Sequence, residues 1–424
     1  MMKNRWKRRR LSSSQIIMLG FMGVIALGTI LLMLPFARAD AGGAPFLDAL
    51  FTATSATCVT GLITQDTATY WSAFGQTVIL GLIQIGGLGV IACAALFFFL
   101  LHRRLELRER IVLQEAYGAQ QLGGIVGMVR KVIVGTLLVE GAGAVFYAIQ
   151  FVPEFGILRG IWYSVFHAVS AFCNAGIDIL GEKSLAGYAV NPVVNLTTIL
   201  LIVLSGIGFT VWFDVLASVR EAFRRENPVR WRFGRLKLHS KLAIITTVIL
   251  IAAGAAFIFI AEYGNPDTIG GMNTGQKLMA SLFQSVTTRT AGFYTFSQGA
   301  LHEESKLFCS VLMFIGGSPG GTAGGVKTTT FAMLILACVT FARGGNDTEC
   351  MGRKISVANF RTGFCVVMVA FAVFITGTIA VLALEPDSVA TIDVLYETAS
   401  AVGTVGLTAD LTPRLCRASQ IVLM

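Results

Sequence analysis

Charge is what this sequence most lacks. Only 13% of its 424 residues are charged, 54% are hydrophobic, and the mean hydropathy is +0.72. A soluble globular chain carries about 25% charged residues, so a water-soluble domain is excluded and a polytopic membrane protein is expected. Signs of metal or redox chemistry are missing too. The eight cysteines contain no CxxC pair, and His102, His167, His239 and His302 are scattered with no ligand spacing. Cys93, Cys309, Cys338 and Cys365 lie in apolar runs, where a small buried thiol is the expected state. No nucleophile–base constellation stands out, so enzyme activity is not expected. No cleavage site for a signal peptide follows the first apolar run. The net charge of +9 does not point to nucleic acid, because the basic residues sit in loops between apolar stretches.

What is present is hydrophobic length, interrupted at regular intervals. A basic stretch over residues 1–10 precedes a span at 15–36, which puts the N-terminus in the cytoplasm. An apolar run of 12 residues follows at 46–57, too short to cross a bilayer that needs roughly 20. It reads as a re-entrant helix. A turn at Cys58, Val59, Thr60 and Gly61 comes next, then a span at 75–101. Span, short helix, glycine turn and span then recur. The second copy has a span at 125–151, a short helix at 161–172, a turn at Cys173, Asn174, Ala175 and Gly176, and a span at 192–217. The third has a span at 242–261, a short helix at 276–288, and a turn at Arg289, Thr290, Ala291 and Gly292. The fourth has a span at 357–384, a short helix at 392–402, and a turn at Gly403, Thr404, Val405 and Gly406.

The turn glycines are separated by 115, 116 and 114 residues. An aromatic residue stands ten positions before the glycine in three copies (Phe51, Phe166, Tyr396) and nine before it in the third (Phe283). This regularity predicts an all-α fold of four pseudo-repeats around a central pore. The units are 15–110, 111–225, 226–350 and 351–424, after a basic segment at 1–14. The chain stops near 424, so the closing span of the fourth unit is expected to be incomplete. Basic loops, above all 220–241, mark the inner side. The four turns then face outward.

Each short helix aims the partly negative end of its dipole at the pore centre. Four turns around an axis offer rings of backbone carbonyls that can replace the hydration shell of a monovalent cation. Glycine serves where the backbone comes close to the ion. The carbonyls of Thr60, Ala175, Ala291 and Val405 are the candidates to point inward.

The closing span of the third unit, 307–341, is about 35 residues long and is broken by Gly316, Gly317, Ser318, Pro319, Gly320, Gly321, Thr322, Ala323, Gly324 and Gly325, followed by Lys327. Irregular backbone at membrane depth must be buried in protein or line a wet cavity, so this loop is a candidate gate or ion site. Lys327 either faces the pathway, where it could hold a closed state by repelling the cation or by pairing with loop carbonyls, or snorkels to the inner interface. Arg289 is either a structural donor behind the third turn, the favoured reading, or tunes cation binding by repulsion. A phosphate-binding loop is excluded, because Lys327 falls one residue too late and no strand precedes it. Gly81, Gly86, Gly87 and Gly89 are expected to permit close helix packing. Cys58 and Cys173 open two turns and are candidates for access from the pore.

The stretches SATCVTGL (55–62), SAFCNAGI (170–177), TTRTAGF (287–293), SAVGTVGL (400–407) and GGSPGGTAGGVKTTT (316–330) resemble the Ktr/Trk/HKT potassium-transport family over nearly the whole chain. With no extra spans before the first repeat, the likeness is nearer to the bacterial Ktr membrane subunit than to the longer Trk type. The resemblance implies an ion-conducting subunit of a potassium uptake system in a bacterial cell membrane. It implies K⁺ bound by turn carbonyls (Cys58 to Gly61, Cys173 to Gly176, Arg289 to Gly292, Gly403 to Gly406) and gating by the loop from Gly316 to Lys327. It also implies a homodimer and a cytosolic RCK-type ring carrying the nucleotide, with no organic cofactor in this chain. Na⁺ dependence stays open. The alternatives are a potassium-binding subunit of a pump or a secondary cation transporter with broken helices.

Overall fold

The computed structural model describes residues 12–40, 42–90, 92–95, 107–116, 123–181, 183–224, 233–345, 348–351 and 353–424. The basic N-terminal stretch, 1–11, and residues 225–232 of the arginine-rich segment at 220–241 lie outside these residues. Among the described residues, four helices are long and apolar enough to cross a membrane: Ser13–Leu32, Ile125–Phe155, Leu238–Ala261 and Val357–Leu384. Each opens one of the four sequence units. Each is followed by a short helix, at Phe46–Thr57, Ile157–Cys173, Thr274–Thr287 and Thr391–Gly403.

Burial separates the two sets. The apolar windows of the long helices are only 11–33% buried, and Leu138, Val145, Ile260 and Val369 project outward. The short helices are enclosed towards their C-terminal ends, and the aromatic residues Phe51, Phe166, Phe283 and Tyr396 are all buried. Polar side chains gather inside instead of outside. Gln284, Gln298 and Tyr396 bond to one another, as do Tyr147 and Thr198. An apolar exterior around a hydrogen-bonded polar interior is the arrangement of a protein whose surroundings are lipid.

Short helices reach the interior by folding back on the long ones. Ile125–Phe155 ends at Gly156, whose φ is +81°, and Ile157–Cys173 returns beside it. The return needs Gly160. A Cβ there would lie 2.5 Å from Val152 Cα and 2.7 Å from Phe151 O, both backbone atoms that cannot step aside.

Closing helices depart most from the sequence expectation. The span expected at 75–101 is helical over Ala73–Leu88 and interrupted at Gly89, where φ is +87°. The span expected at 192–217 is two helices, Pro192–Ile207 and Phe209–Arg224, with a bend of 95° at Gly208. The third closing span is broken as expected, into Glu303–Phe314 and Thr328–Ala342. In the fourth unit the chain ends in Arg417–Leu423. Glycine packing also differs. Gly86 and Gly87 press against Thr57 O and Cys173, but Gly81 has nothing within 4 Å and Gly89 breaks the helix instead of packing it.

Gly160→Ala is expected to cost about 1–3 kcal/mol, the range for forcing atoms into a packed site. Gly141→Ala in the same helix pair meets open space and should not destabilise, since mid-helix alanine is favoured over glycine by up to about 1 kcal/mol. Thermal unfolding in detergent reads both. Equal midpoints for the two variants would contradict this packing account.

Candidate functional site

Each short helix ends in a turn of one design. Backbone amides at 60, 175 and 405 bond back to the carbonyls of Ser55, Ser170 and Ser400, each at 2.8 Å. In the third turn Ala291 N bonds to Thr287 O, four residues back instead of five. That turn is therefore one residue tighter, which accounts for its aromatic residue standing nine rather than ten positions before the glycine. Seryl and threonyl side chains complete the fastening. Ser55 Oγ and Ser400 Oγ accept from the amides of Gly61 and Gly406, each at 3.0 Å. Ser170 Oγ and Thr287 Oγ1 donate to the carbonyls of Ile177 and Phe293.

Two positions per turn are left-handed. The glycines have φ of +90° (Gly61), +65° (Gly176), +86° (Gly292) and +90° (Gly406). Two residues earlier stand Val59, Asn174, Thr290 and Thr404, with φ of +57°, +61°, +71° and +51°. Three of these have a short polar side chain, but β-branched residues rarely adopt this conformation. Their recurrence at one position shows that packing of the turn dictates it. Composition alone gave no signal of this.

The four turns close on one another. Gly61 abuts the carbonyl of Ala175, Gly176 that of Ala291, Gly292 that of Val405 and Gly406 that of Thr60. The order runs one to two, two to three, three to four and four back to one, which is a ring. An added Cβ would approach the facing oxygen to 2.5 Å at Gly176 and Gly406 and to 2.6 Å at Gly292. Any side chain there would fill the place where neighbouring turns meet. None of the four ring carbonyls accepts a hydrogen bond among the described residues. Ala175, Ala291 and Val405 are nonetheless fully buried. Buried carbonyls without a donor are uncommon in folded chains.

Sixteen turn positions thus come together, with different roles. Arg289 is buried and faces away from the ring, donating to Thr247 O at 3.4 Å and Gly316 O at 3.1 Å. Cys173 is fully buried against Gly87 and Glu140, so it is not open to the axis; Cys58 is exposed.

The loop from Gly316 to Lys327 lies against the ring. On one edge Thr322 Oγ1 accepts from Asn174 Nδ2 at 3.1 Å and donates to Phe172 O at 3.2 Å, at the second turn. On the other edge Gly324 packs on Gly403 and Thr404, at the fourth. Second and fourth turns stand opposite in the ring order, and Gly316 O accepts from Arg289 of the third, so the loop lies against three of the four turns. The Gly208 bend anchors the loop. Ser318 N donates to Gly206 O at 2.8 Å, and Phe209 N donates to Gly320 O at 2.9 Å. These are the backbone groups that a bend sets free. The loop also holds itself. Ser318 and Thr328 hydroxyls meet at 2.7 Å, and Lys327 Nζ donates to Ala323 O at 2.7 Å. Lys327 therefore pairs with loop carbonyls instead of reaching for the interface. A cavity of 350 Å³ borders the loop at Gly320–Thr322 and is lined on its other side by Gly86–Val90 and Phe21. No cluster of His, Cys, Asp and Glu suited to a metal ion occurs among the described residues.

Residues 4–424 match the TrkH family, described as cation transport protein. The chain is 38% identical to the Ktr system potassium uptake protein B of Bacillus subtilis over 98% of its own length and 89% of that protein. It is 36% identical to the potassium/sodium uptake protein NtpJ of Enterococcus hirae, covering 98% and 90%. The fold matches the crystal structure of the potassium transporter TrkH from Vibrio parahaemolyticus with a TM-score of 0.74, at 17% identity, over 99% of this chain and 83% of that one.

Gly406→Ala is expected to lower stability by about 1–3 kcal/mol, because it combines an unfavourable left-handed backbone with a clash at the Thr60 carbonyl. The midpoint of thermal unfolding reads this. An unchanged midpoint would contradict close contact between the fourth and first turns.

Proposed function

The chain belongs to the TrkH family of cation transport proteins, and on that premise we propose that it is the ion-conducting membrane subunit of a potassium uptake system. The observation that carries this reading is the ring of carbonyls from Thr60, Ala175, Ala291 and Val405, which accept no hydrogen bond among the described residues. A dehydrated monovalent cation on the ring axis would receive those oxygens in place of water. The short helices end at the ring and add the negative ends of their dipoles. Flanking turn positions, Cys58, Val59, Gly61, Asn174, Gly176, Thr290, Gly292, Thr404 and Gly406, serve this filter through their backbone.

The loop from Gly316 to Lys327 is the gate. It lies against the ring on the side where the short helices end, held by the Asn174–Thr322 contact and by the bend at Gly208. Lys327 keeps the loop compact through Ala323 O and places a positive charge near the path.

The remaining parts of the proposal rest on the family resemblance, the names of the relatives and the basic N-terminus. The Ktr system name of the Bacillus protein supports a multi-subunit assembly, here a homodimer joined to a cytosolic RCK-type nucleotide-binding ring. The potassium/sodium name of NtpJ supports a test for Na⁺ stimulation. We place the subunit in a bacterial cell membrane with its N-terminus in the cytoplasm.

The test is ⁸⁶Rb⁺ uptake into liposomes by the protein and by a variant lacking residues 317–324. K⁺-competed uptake that rises severalfold on deletion is expected. Uptake unchanged by the deletion would refute the gate. No cation flux from either protein, even with the cytosolic partner added, would refute the conducting role and favour the pump-subunit reading.

A further inference from the structure

Glu140 lies at the midpoint of Ile125–Phe155, and its side chain is buried. Apart from Glu154 near the end of the same helix, it is the only acidic residue in the four long spans. A carboxyl at such depth is costly unless it has partners. Its Oε1 accepts from Gln84 Nε2 at 3.2 Å and faces Cys173 Sγ at 3.8 Å. Gln84 belongs to Ala73–Leu88, the closing helix of the first unit. Cys173 is the last residue of the second short helix, two positions before Ala175.

The surroundings are built to hold this contact. Gly87 stands three residues after Gln84, on the same helix face. A Cβ at Gly87 would lie 2.7 Å from Cys173 Cβ, so the glycine admits the cysteine. The adjacent Gly86 presses against Val59 of the first turn. One carboxyl therefore joins three helices from two units, behind the seam where Gly61 abuts the Ala175 carbonyl. The other long spans carry no acidic residue, so among the described residues only the second turn is tied to its long span through a carboxyl on that span.

We propose that Glu140 is a positioning residue for ion selection, fixing the second turn against the first unit by accepting from Gln84 and Cys173. This rests on the carbonyl ring acting as the filter. A ring that selects by fit or by ligand number depends on how its turns are spaced. Glu140 sets that spacing at one seam without touching the ion.

The test measures ⁸⁶Rb⁺ uptake into liposomes with K⁺ and with Na⁺ as competitors, for the full chain and its variants. The readout is the ratio of Na⁺ to K⁺ concentrations that halve uptake. This ratio does not depend on the amount of folded protein, so a loss of yield alone would not move it. Glu140→Ala is expected to lower it about fivefold or more, as for the loss of one or two hydrogen bonds. Glu140→Gln keeps an acceptor oxygen and should stay within about twofold of the parent. If Glu140→Ala does not insert, Gln84→Ala removes the partner from the other side and is read in the same way. An unchanged ratio in the alanine variants would overturn the inference while leaving the filter intact. A glutamine variant as impaired as the alanine one would overturn it in favour of a role for the charge. Absence of K⁺-competed uptake by the parent would sink the filter reading and this inference together.

Discussion

Four backbone carbonyls that receive no hydrogen bond among the described residues are the constraint on which the remaining structure depends. In a protein interior such groups are costly, and here they are gathered and held instead of dispersed. The cost is met by everything around them. Serine and threonine side chains fasten each turn, left-handed residues bend it, and glycines let each turn lie against its neighbour's oxygen. The polar interior and apolar exterior follow from the same requirement, because short helices must deliver the turns to the centre while long helices face lipid. A cation at the centre would supply the positive partner that the carbonyls otherwise lack.

The loop against the ring depends on a second set of freed backbone groups. A helix bent at Gly208 leaves Gly206 O and Phe209 N without helical partners, and Ser318 and Gly320 of the loop take them. Two irregular segments thus satisfy each other at a depth where water is scarce. Binding to the second unit is by hydrogen bonds, whereas contact with the fourth is by packing of Gly324 on Thr404. On the proposed gating, this asymmetry makes the edge near the fourth turn the easier one to lift and the edge near Gly208 the hinge.

Legibility in the sequence followed physical scale. The long spans and short helices were readable because length and hydropathy report membrane crossing directly. Turn positions were readable because Gly61, Gly176, Gly292 and Gly406 recur at nearly constant spacing, and even the one-residue tightening of the third turn showed in the offset of Phe283. The bend at Gly208 was not readable. A single glycine in an apolar run costs a helix only about 1 kcal/mol, and whether the helix bends there depends on the loop residues that receive its backbone, more than a hundred positions away. Gly89 misled for the same reason. Cys173 looked open to the axis because it begins a turn, yet contacts from Glu140 and Gly87 turn it inward. Glu140 itself drew no attention in sequence, since one carboxylate in a long span has no periodic counterpart.

The central claim is that the ring carbonyls bind the transported ion. Anomalous diffraction from crystals grown in Rb⁺ tests it most directly. The account predicts a peak on the ring axis, within coordination distance of the carbonyl oxygens of Thr60, Ala175, Ala291 and Val405. A peak only elsewhere, or no peak in the ring at saturating Rb⁺, would contradict it.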